Sequence, residues 1–589
     1  MASKDSGPGL GINEQDQEKT ETVVSDAASA DPASLEAGYS PLAPALTYDV
    51  HLAETAEARE RDMSFSAALK ADRRLIWYSL GFSGTIIMEG YGLALITYLF
   101  SFPQFNKKFG VYREEIQDYE VQYIWKALLP LVAQFGSILG ILITSPITSK
   151  FGYKRTTLMM LTLSASLVCM TFFAESTKIL SAAFFLQGIP WGVYQVVAPA
   201  YASEVATLQL RPILTTWNNL CWVIGQLMAS AVVKGFQGFE GDTAFRIPFA
   251  FQWLFTGILI VAISFAPESP YWFLQKKKLP EAGKAVSKMV RKGSPERTEE
   301  KLALMRHTIA QEAKHDDDGQ PIRTGFAGSM QRLKRMFTGV DARRTEIACV
   351  AWLIQALCGS SIIPWAPKLF ESAGLAPSQA LSVNIALPAA GILGTLGSWW
   401  LMRFWGRRKI YLVGLFVMAF TLVACGAASY APGTASGWAA GGILTAYTAI
   451  YDLTIGPVCY SIVSEIPSIR RRTSTLSAAR GTYLVAGLLN HFLTPKMVGM
   501  DDDSWKWGAK TGFLYAGLCI LGAMYTWYRI PETNGLSARA LDILFQNETK
   551  AREFSSQKAA ELEVRDSLST TDSHMSATSA LSVKAEEKV

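Results

Sequence analysis

Two stretches, Gly152-Tyr153-Lys154-Arg155 and Gly406-Arg407-Arg408-Lys409, decide the fold of this 589-residue chain. Both begin with glycine, both continue into basic residues, and they stand 254 positions apart. Each follows an apolar segment long enough to cross a lipid bilayer. A charged signature that recurs at such a distance, in the same setting, indicates a duplicated unit.

Two further signatures recur in the same order and at nearly the same offset. Ser203-Glu204 matches Ser464-Glu465 at 261 positions, and Pro267-Glu268-Ser269 matches Pro531-Glu532-Thr533 at 264 positions. Because three signatures keep both their order and their spacing, we interpret the chain as two copies of one six-helix unit.

Twelve apolar segments are candidates for membrane spans. A crossing helix needs about 20 mostly apolar residues, since the hydrocarbon layer is about 30 Å thick and each residue rises about 1.5 Å. The first half supplies Leu75–Phe100, Ala127–Ile147, Leu158–Ala174, Ile179–Ala202, Ile213–Val233 and Ile247–Phe265. The second half supplies Ile347–Leu369, Leu381–Leu401, Ile410–Ser429, Trp438–Val463, Leu476–Leu493 and Gly512–Tyr528. The expected fold is an all-α integral membrane protein with two pseudo-symmetric six-helix bundles around a central cavity.

Composition excludes several other classes of protein. Apolar residues make up 50% of the chain and charged residues 18%, whereas soluble proteins carry roughly 25% charge. The net charge of +5 is too small to indicate a nucleic-acid partner. The seven cysteines lie in apolar stretches without metal-ligand spacing, and outside the membrane we find no nucleophile–base pair. We therefore expect neither an enzyme nor a cofactor.

Basic residues set the predicted orientation. They follow the second and eighth spans, as Lys154, Arg155, Arg407 and Arg408, and loops rich in Lys and Arg face the cytoplasm. Both termini then lie in the cytoplasm, and we expect a multi-pass protein of the plasma membrane, embedded in its lipid bilayer. The predicted domains are a disordered tail (1–70), the first bundle (71–266), a cytoplasmic loop with short helices (267–345), the second bundle (346–530) and a C-terminal tail (531–589).

Charged residues at the cytoplasmic ends of the spans are candidate gates. An arginine also follows each Ser-Glu signature by seven residues. Opposite charges at these ends can lock the two bundles together and must separate when the inner side opens. The alternative is ordinary interfacial charge that only orients the helices. The candidates are Lys154, Arg155, Glu204, Arg211, Glu268, Arg407, Arg408, Glu465, Arg472 and Glu532.

The motifs of residues 70–555 resemble the sugar porter family of the major facilitator superfamily, and within it the fungal maltose and α-glucoside permeases. The most specific stretches are Glu89-Gly90-Tyr91, Pro190-Trp191-Gly192, Asn219-Leu220-Cys221-Trp222, Gly456-Pro457-Val458 and Trp505–Phe513. The resemblance implies secondary active or facilitative transport of a small hydroxyl-rich solute, a sugar or α-glucoside, by alternating access.

The resemblance also implies a sugar site built from the fifth, seventh and tenth spans. Carried over position by position, it points to Asn219 and Gln226, to Gln355, and to Tyr460; Trp365 is a further aromatic candidate. Amides both donate to and accept from hydroxyl groups, and aromatic rings stack on the apolar face of a sugar. Each residue has an alternative, since an intramembrane amide often joins helices and an aromatic ring often only packs.

Proton coupling needs a carboxylate that changes protonation inside the membrane, and here the family pattern is broken. Charged residues are costly in a bilayer, so those that remain deserve a functional hypothesis. Glu89 and Arg480 are the first candidates, and Asp452 is an alternative proton site or a structural partner of Arg480. Three positions where relatives carry Asp, Glu and Arg are here occupied by Gly92, Ser137 and Phe184.

Two other functions remain open. The lost acidic residues suit a transporter or exporter of a non-sugar organic metabolite that keeps the same fold. A non-transporting sugar sensor is the third alternative. The partners expected are a small-molecule solute and, with coupling, protons. Lys126 and Lys368 lie near span ends, where we expect them to reach toward the membrane surface.

Overall fold

The structure, a computed structural model, describes residues 51–562. Within that range, residues 54, 57–58, 60–62, 115–116, 208–209, 291–294, 317–336, 431–433, 468–471, 500–503, 535 and 537 are not described. Most of the predicted N-terminal tail and the end of the predicted C-terminal tail therefore lie outside the described residues.

Long helices make up both halves of the described chain. In the first half they are α1 (Phe65–Ala71), α2 (Arg73–Tyr98), α3 (Pro103–Phe109), α4 (Tyr123–Phe151), α5 (Tyr153–Phe172), α6 (Thr177–Val205), α7 (Arg211–Gly235) and α8 (Thr243–Phe265). Between the halves lie α9 (Pro270–Gln275), α10 (Leu279–Met289) and α11 (Pro295–Asp316). The second half contains α12 (Gly339–Leu357), α13 (Ala366–Ser372), α14 (Pro377–Phe404), α15 (Arg407–Ala428), α16 (Thr434–Leu453), α17 (Ile455–Glu465), α18 (Arg472–Val498), α19 (Thr511–Arg529) and α20 (Ala538–Gln546).

Each predicted span coincides with one long helix or with a broken pair. Among the described residues, eight segments are apolar and long enough to cross a membrane by length and composition alone: α2, α4, α5, α6, α8, the α12–α13 segment, α14 and α15. The other predicted spans are α7, the α16–α17 pair, α18 and α19. Two of these are more polar because they carry side chains of the site described below, such as Asn219 on α7 and Arg480 on α18.

The seventh and tenth spans are both broken in the second half. In the seventh, Gly359 adopts φ +103°, which favours glycine, and a 3₁₀ turn (Ser360–Trp365) leads into α13. In the tenth, α16 ends at Leu453. A proline cannot donate a hydrogen bond to the carbonyl group four residues earlier, and its ring clashes with that carbonyl. Pro457 therefore accounts for the break at Leu453.

Small residues let α4 and α6 approach closely. Gly140 and Gly192 lie at this contact: a Cβ on Gly140 would stand 2.2 Å from the Ile189 carbonyl oxygen, and one on Gly192 2.0 Å from that of Ser137. Glycine pairs of this kind pack membrane helices through van der Waals contact. The backbone of Ser137 is thus part of a helix contact.

A small hairpin covers the outer end of the first half. Strands β1 (Val111–Arg113) and β2 (Asp118–Glu120) pair antiparallel, with Tyr112 opposite Tyr119. The preceding helix α3 packs through Phe105, whose ring centroid lies 5.8 Å from that of Phe245 on α8. The α2–α4 connection is therefore an ordered cap.

Helices next to the first and last spans pack against the rest of the described chain. Helix α1 begins at Phe65, inside the segment predicted to be disordered up to residue 70. At its end the buried Asp72 carboxylate pairs with Lys301 of α11 at 3.0 Å. After the last span, Asp542 of α20 pairs with Arg344 of α12 at 2.6 Å.

Candidate functional site

A hydrogen-bonded chain of three side chains joins the two halves. Nε2 of Gln195, on α6, donates to Oε1 of the buried Glu89 on α2 at 2.6 Å. Arg480, on α18, donates to Oε1 of Gln195 through Nε at 3.0 Å and Nη2 at 2.7 Å. Guanidinium groups only donate and ionised carboxylates only accept, so the amide satisfies both neighbours at once.

Aromatic rings surround the Arg480 guanidinium on its own half. Its central carbon lies 4.8 Å from the ring centroid of Trp352 and 4.5 Å from that of Tyr483. Tyr460 meets Trp352 edge-on at 4.8 Å. Cation–π contacts gain strength where water is excluded, so the rings hold the cation in place without neutralising it. Tyr460, predicted to touch substrate, lies in this group.

A second polar cluster lies between the fifth, eighth and tenth spans. Nδ2 of Asn219 donates to Asp452 Oδ1 at 3.0 Å and to Thr395 Oγ1 at 3.3 Å. Asn219 therefore connects the halves, as helix-joining amides do. The partner of Asp452 here is Asn219, whereas Arg480 binds Gln195, so the structure does not bring the two charges together as an ion pair.

Gln355 lies at the break of the tenth span. Its Nε2 donates to the Tyr451 hydroxyl at 3.2 Å and to the Gly456 carbonyl oxygen at 3.3 Å. Its Oε1 is buried and has no hydrogen-bond partner among the described residues. An unused buried acceptor is costly unless something donates to it, and a sugar hydroxyl can.

The remaining predicted ligands lie apart from these clusters. Gln226 is buried on α7, about two turns beyond Asn219. Trp365 stacks on Phe100 at 5.5 Å, at the outer end of the first span. Its ring thus closes the two halves against each other at the outer side.

The expectation for Lys126 and Lys368 is wrong. Both are buried and neither reaches the membrane surface: the Glu120 carboxylate binds Lys126 at 2.7 Å and Lys368 at 3.0 Å. Burial requires a paired charge, and Glu120 supplies it.

The cytoplasmic glutamates of the first half hold helix ends together. Glu268 accepts from the backbone N–H groups of Tyr153 at 2.7 Å and Lys154 at 3.1 Å, at the start of α5. Helix N-termini bind anions through such groups. Burial raises the pKa of the Glu268 carboxyl, and the backbone N–H groups oppose that rise. Glu204 accepts from the Tyr153 hydroxyl at 2.7 Å.

The second half repeats this arrangement. Glu532 accepts from the Arg407 backbone N–H at 2.8 Å, and the Arg407 guanidinium lies 3.3 Å from Glu465. Arg408 donates to the Trp527 carbonyl oxygen at 2.8 Å. These bonds join helix ends within one half, so in this conformation they are not the lock between bundles that the charge pattern predicted.

The other candidate gates have simpler positions. Lys154 Nζ donates to the Ser264 carbonyl oxygen at 2.6 Å, and Arg155 is exposed. The side chains of Arg211 and Arg472 lie outside the described part of the structure.

Comparison with known proteins places this geometry in a family. A family model described as sugar (and other) transporter matches residues 80–545. The chain belongs to that family. It is 32% identical to a maltose permease from Saccharomyces cerevisiae, covering 87% of this chain and 84% of the permease. It is also 32% identical to a general alpha-glucoside permease from the same species, covering 86% and 80%.

Solved structures show the same fold. The transporter superimposes on the proton:xylose symporter XylE with a TM-score of 0.64 and 20% identity, over 80% of this chain and 99% of that one. A partially occluded inward-open form of XylE from E. coli gives 0.61 and 18%, over 79% and 100%. The predicted family, major facilitator fold and multi-pass transport function are therefore confirmed, and the protein is not an enzyme.

Several residues of the transporter's site escaped the sequence analysis. Trp352 lies three positions before Gln355 on the same helical face, which could have been noticed. Gln195 carried no comparable signal, because its importance depends on two helices distant in sequence. Asn384 of α14 is fully buried, and its amide faces the Tyr98 hydroxyl of α2 in the other half.

Proposed function

We propose that this transporter carries a hydroxyl-rich sugar of the α-glucoside class across the plasma membrane, with both termini in the cytoplasm. The observation that carries the proposal is the set of polar side chains where the two halves meet. Gln355 presents an unused amide oxygen, Trp352 lies three positions before it on the same helix, and the ring of Tyr460 meets that of Trp352. A sugar can form hydrogen bonds to the amide through its hydroxyl groups and can stack its apolar face on the aromatic rings.

The names of the relatives support the substrate class. Proteins 32% identical over most of their length are named maltose permease and general alpha-glucoside permease. Alternating access follows from the two-half construction, because only the contacts between halves need to change when the open side switches.

Glu89 is the residue that we assign to proton coupling. It is buried, it is bound to Gln195, and the Arg480 cation acts on it electrostatically. When Glu89 takes up a proton, it loses negative charge that balances Arg480, and the hydrogen bonds around Gln195 must rearrange. Since Arg480 belongs to the opposite half, protonation changes the free energy of a contact between halves. Asp452 stands as the second proton site, because Asn219 links it across the same interface.

A substrate panel tests the proposal directly. Cells that lack hexose and maltose transport would express the protein, and uptake of labelled maltose, other α-glucosides, glucose and xylose would be measured at about pH 5 and about pH 7. Both values lie above the usual carboxyl pKa, so a difference between them would indicate a carboxyl group that titrates above its usual range. We expect saturable uptake of an α-glucoside that rises at the lower pH. Expressed protein at the cell surface without uptake of any sugar would contradict the proposal.

A second function is favoured by the aromatic lining. Trp352, Tyr460 and Tyr483 cluster around Arg480, and Phe184 stands where many porters carry Arg and packs on Phe249 at 6.2 Å. Such a lining also suits a less polar metabolite. Export of aromatic or apolar compounds from loaded proteoliposomes, with no sugar transport, would identify that function.

A further inference from the structure

Five charged side chains cluster at the outer mouth. Glu120 ends strand β2, just before the second span, and is 4% exposed. Its carboxylate accepts from Lys126 Nζ at 2.7 Å and lies 3.4 Å from the Arg113 guanidinium. These three residues belong to the first half.

Lys368 brings the second half to the same carboxylate. It lies on α13, beyond the break at Gly359, and its Nζ stands 3.0 Å from Glu120 Oε1. The same ammonium group also lies 3.0 Å from Glu371, three residues further along α13. The Glu120–Lys368 pair is therefore a bond between halves at the outer end, beside the stacked rings of Trp365 and Phe100.

We propose that the Glu120–Lys368 pair is a reversible latch that keeps the outer mouth closed and opens each time the transporter turns outward. A buried pair is usually expensive to break, because each charge is left without a partner. Here separation leaves each charge paired within its own half. Glu120 keeps Lys126 and Arg113, and Lys368 keeps Glu371.

This exchange makes the latch switchable. Closing adds one ion pair between halves, and opening gives it up without leaving a bare charge in a low-dielectric region. The latch holds for any solute, so it goes beyond the proposed substrate and does not depend on it.

The accessibility of Leu381 reports the state of the outer mouth. This residue of α14 is 1% exposed and packs among the buried apolar residues of the first half. The test uses Leu381→Cys in the full-length protein, in a background where the exposed Cys169 is replaced by Ser. The rate of labelling by a membrane-impermeant maleimide in intact cells measures outward opening.

Two variants with equal charge change separate the latch from general loosening. Lys368→Gln should speed labelling about fivefold or more, because the closed state loses its bond between halves. Lys126→Gln removes a partner of the same carboxylate inside the first half and leaves Glu120 with Arg113 alone when the mouth opens, so it should not speed labelling. Equal acceleration by both variants, or none by Lys368→Gln, would overturn the latch.

A third variant predicts the opposite direction, which misfolding cannot imitate. Glu371→Gln removes the partner that Lys368 keeps in its own half, so opening becomes costlier and labelling should slow about fivefold. Surface amount and detergent-extracted monodispersity would be measured beside each rate. Unchanged or faster labelling of Glu371→Gln would refute the exchange of partners.

Discussion

Gln195 shows how one uncharged side chain can connect two charged ones. Arg480 has only donors and ionised Glu89 only acceptors, and the amide offers each the complementary group. The arrangement places the charges in separate halves without direct contact. A change of protonation on Glu89 therefore reaches the opposite half through a single side chain.

Replacing Glu89 tests the coupling. Glutamine keeps the shape of the side chain but cannot exchange a proton, so Glu89→Gln should abolish the pH dependence of uptake. Exchange of labelled for unlabelled sugar, at equal concentrations on both sides of the membrane, should persist. Uptake at the two pH values would be compared with that of Glu281→Gln, which changes an exposed carboxylate on α10. If Glu89→Gln kept the pH dependence of the parent, the coupling assignment would fall.

Glycine in the repeated signatures makes room for a carboxylate. A Cβ on Gly406 would lie 2.0 Å from Glu532 Oε2, and one on Gly152 2.4 Å from Glu268 Oε2. Gly406→Ala should therefore displace the carboxylate from the start of α15 and cost about 1–2 kcal/mol, the value of a lost helix cap. Gly152→Ala should cost more, since Gly152 also has φ +86°.

Thermal unfolding in detergent would measure both losses. Gly257→Ala is the matched control, because a Cβ there meets nothing within 4 Å and alanine favours a helix. A control that destabilised as much as Gly406→Ala would rule out the steric explanation.

At the scale of elements, α7 is a helix along which the two halves meet. Trp217 stacks on Trp399 of α14 at 6.3 Å, and the Trp399 indole donates to the Thr216 hydroxyl at 2.9 Å. Asn219 follows one turn later with its bonds to Thr395 and Asp452. This helix carries polar residues because the face on which they lie packs against the other half of the protein and not against lipid.

The Asn219–Asp452 bond should show coupled energetics. Asn219→Ala leaves a buried carboxyl without its amide donor, which costs about 1–3 kcal/mol. The double variant Asn219→Ala/Asp452→Ala should recover part of that loss, because no buried carboxyl remains. A double-mutant cycle on the unfolding free energy measures the coupling, and simple additivity would contradict it.

Helix α11 is joined to the start of the first span by a buried ion pair. Lys301 pairs with Asp72 at 3.0 Å, and Asp72 is 2% exposed. Lys301→Met should release α11 and speed hydrogen exchange of its backbone amides, since a bare buried carboxylate is unfavourable. Lys284→Met, at an exposed position of α10, provides the control. Unchanged exchange in α11 would show that other contacts hold it.

At the scale of the whole molecule, two halves of similar construction meet through a small number of polar contacts. These contacts include the Glu120–Lys368 pair, the Glu89–Gln195–Arg480 chain and the α7–α14 contact. Within each half the glutamates hold helix ends together. Rigid halves joined by exchangeable contacts are what alternating access requires.

The orientation of the molecule is open to a direct test. With Cys169 replaced by Ser, Glu240→Cys in the α7–α8 loop should react with an impermeant maleimide in intact cells. Lys276→Cys, after α9, should react only after permeabilisation, because the basic loops face the cytoplasm. Labelling of Lys276→Cys alone in intact cells would show the reverse orientation. Labelling of both sites in intact cells would contradict the prediction that the two loops lie on opposite sides.

Apolar length and the repeated signatures were sufficient to predict an all-α membrane fold, whereas the transporter family was predicted from the resemblance carried by motifs such as Pro190-Trp191-Gly192 and Gly456-Pro457-Val458. Those properties are local or repeat along the chain, since a helix needs about 20 apolar residues whatever it packs against. The same local reasoning identified two single residues as candidates. Glu89 and Arg480 stand out as charges in apolar segments, and both lie at the interface between halves.

Only the tertiary structure decided which partners these residues have. Gln195 lies between Glu89 and Arg480, Asp452 binds Asn219, and Lys368 is paired rather than directed toward the membrane surface. Each contact joins residues separated by a hundred positions or more, and no periodicity along the chain encodes such a pairing. Hydrophobicity determines that a segment enters the membrane, whereas the packing of distant helices determines which polar groups meet there.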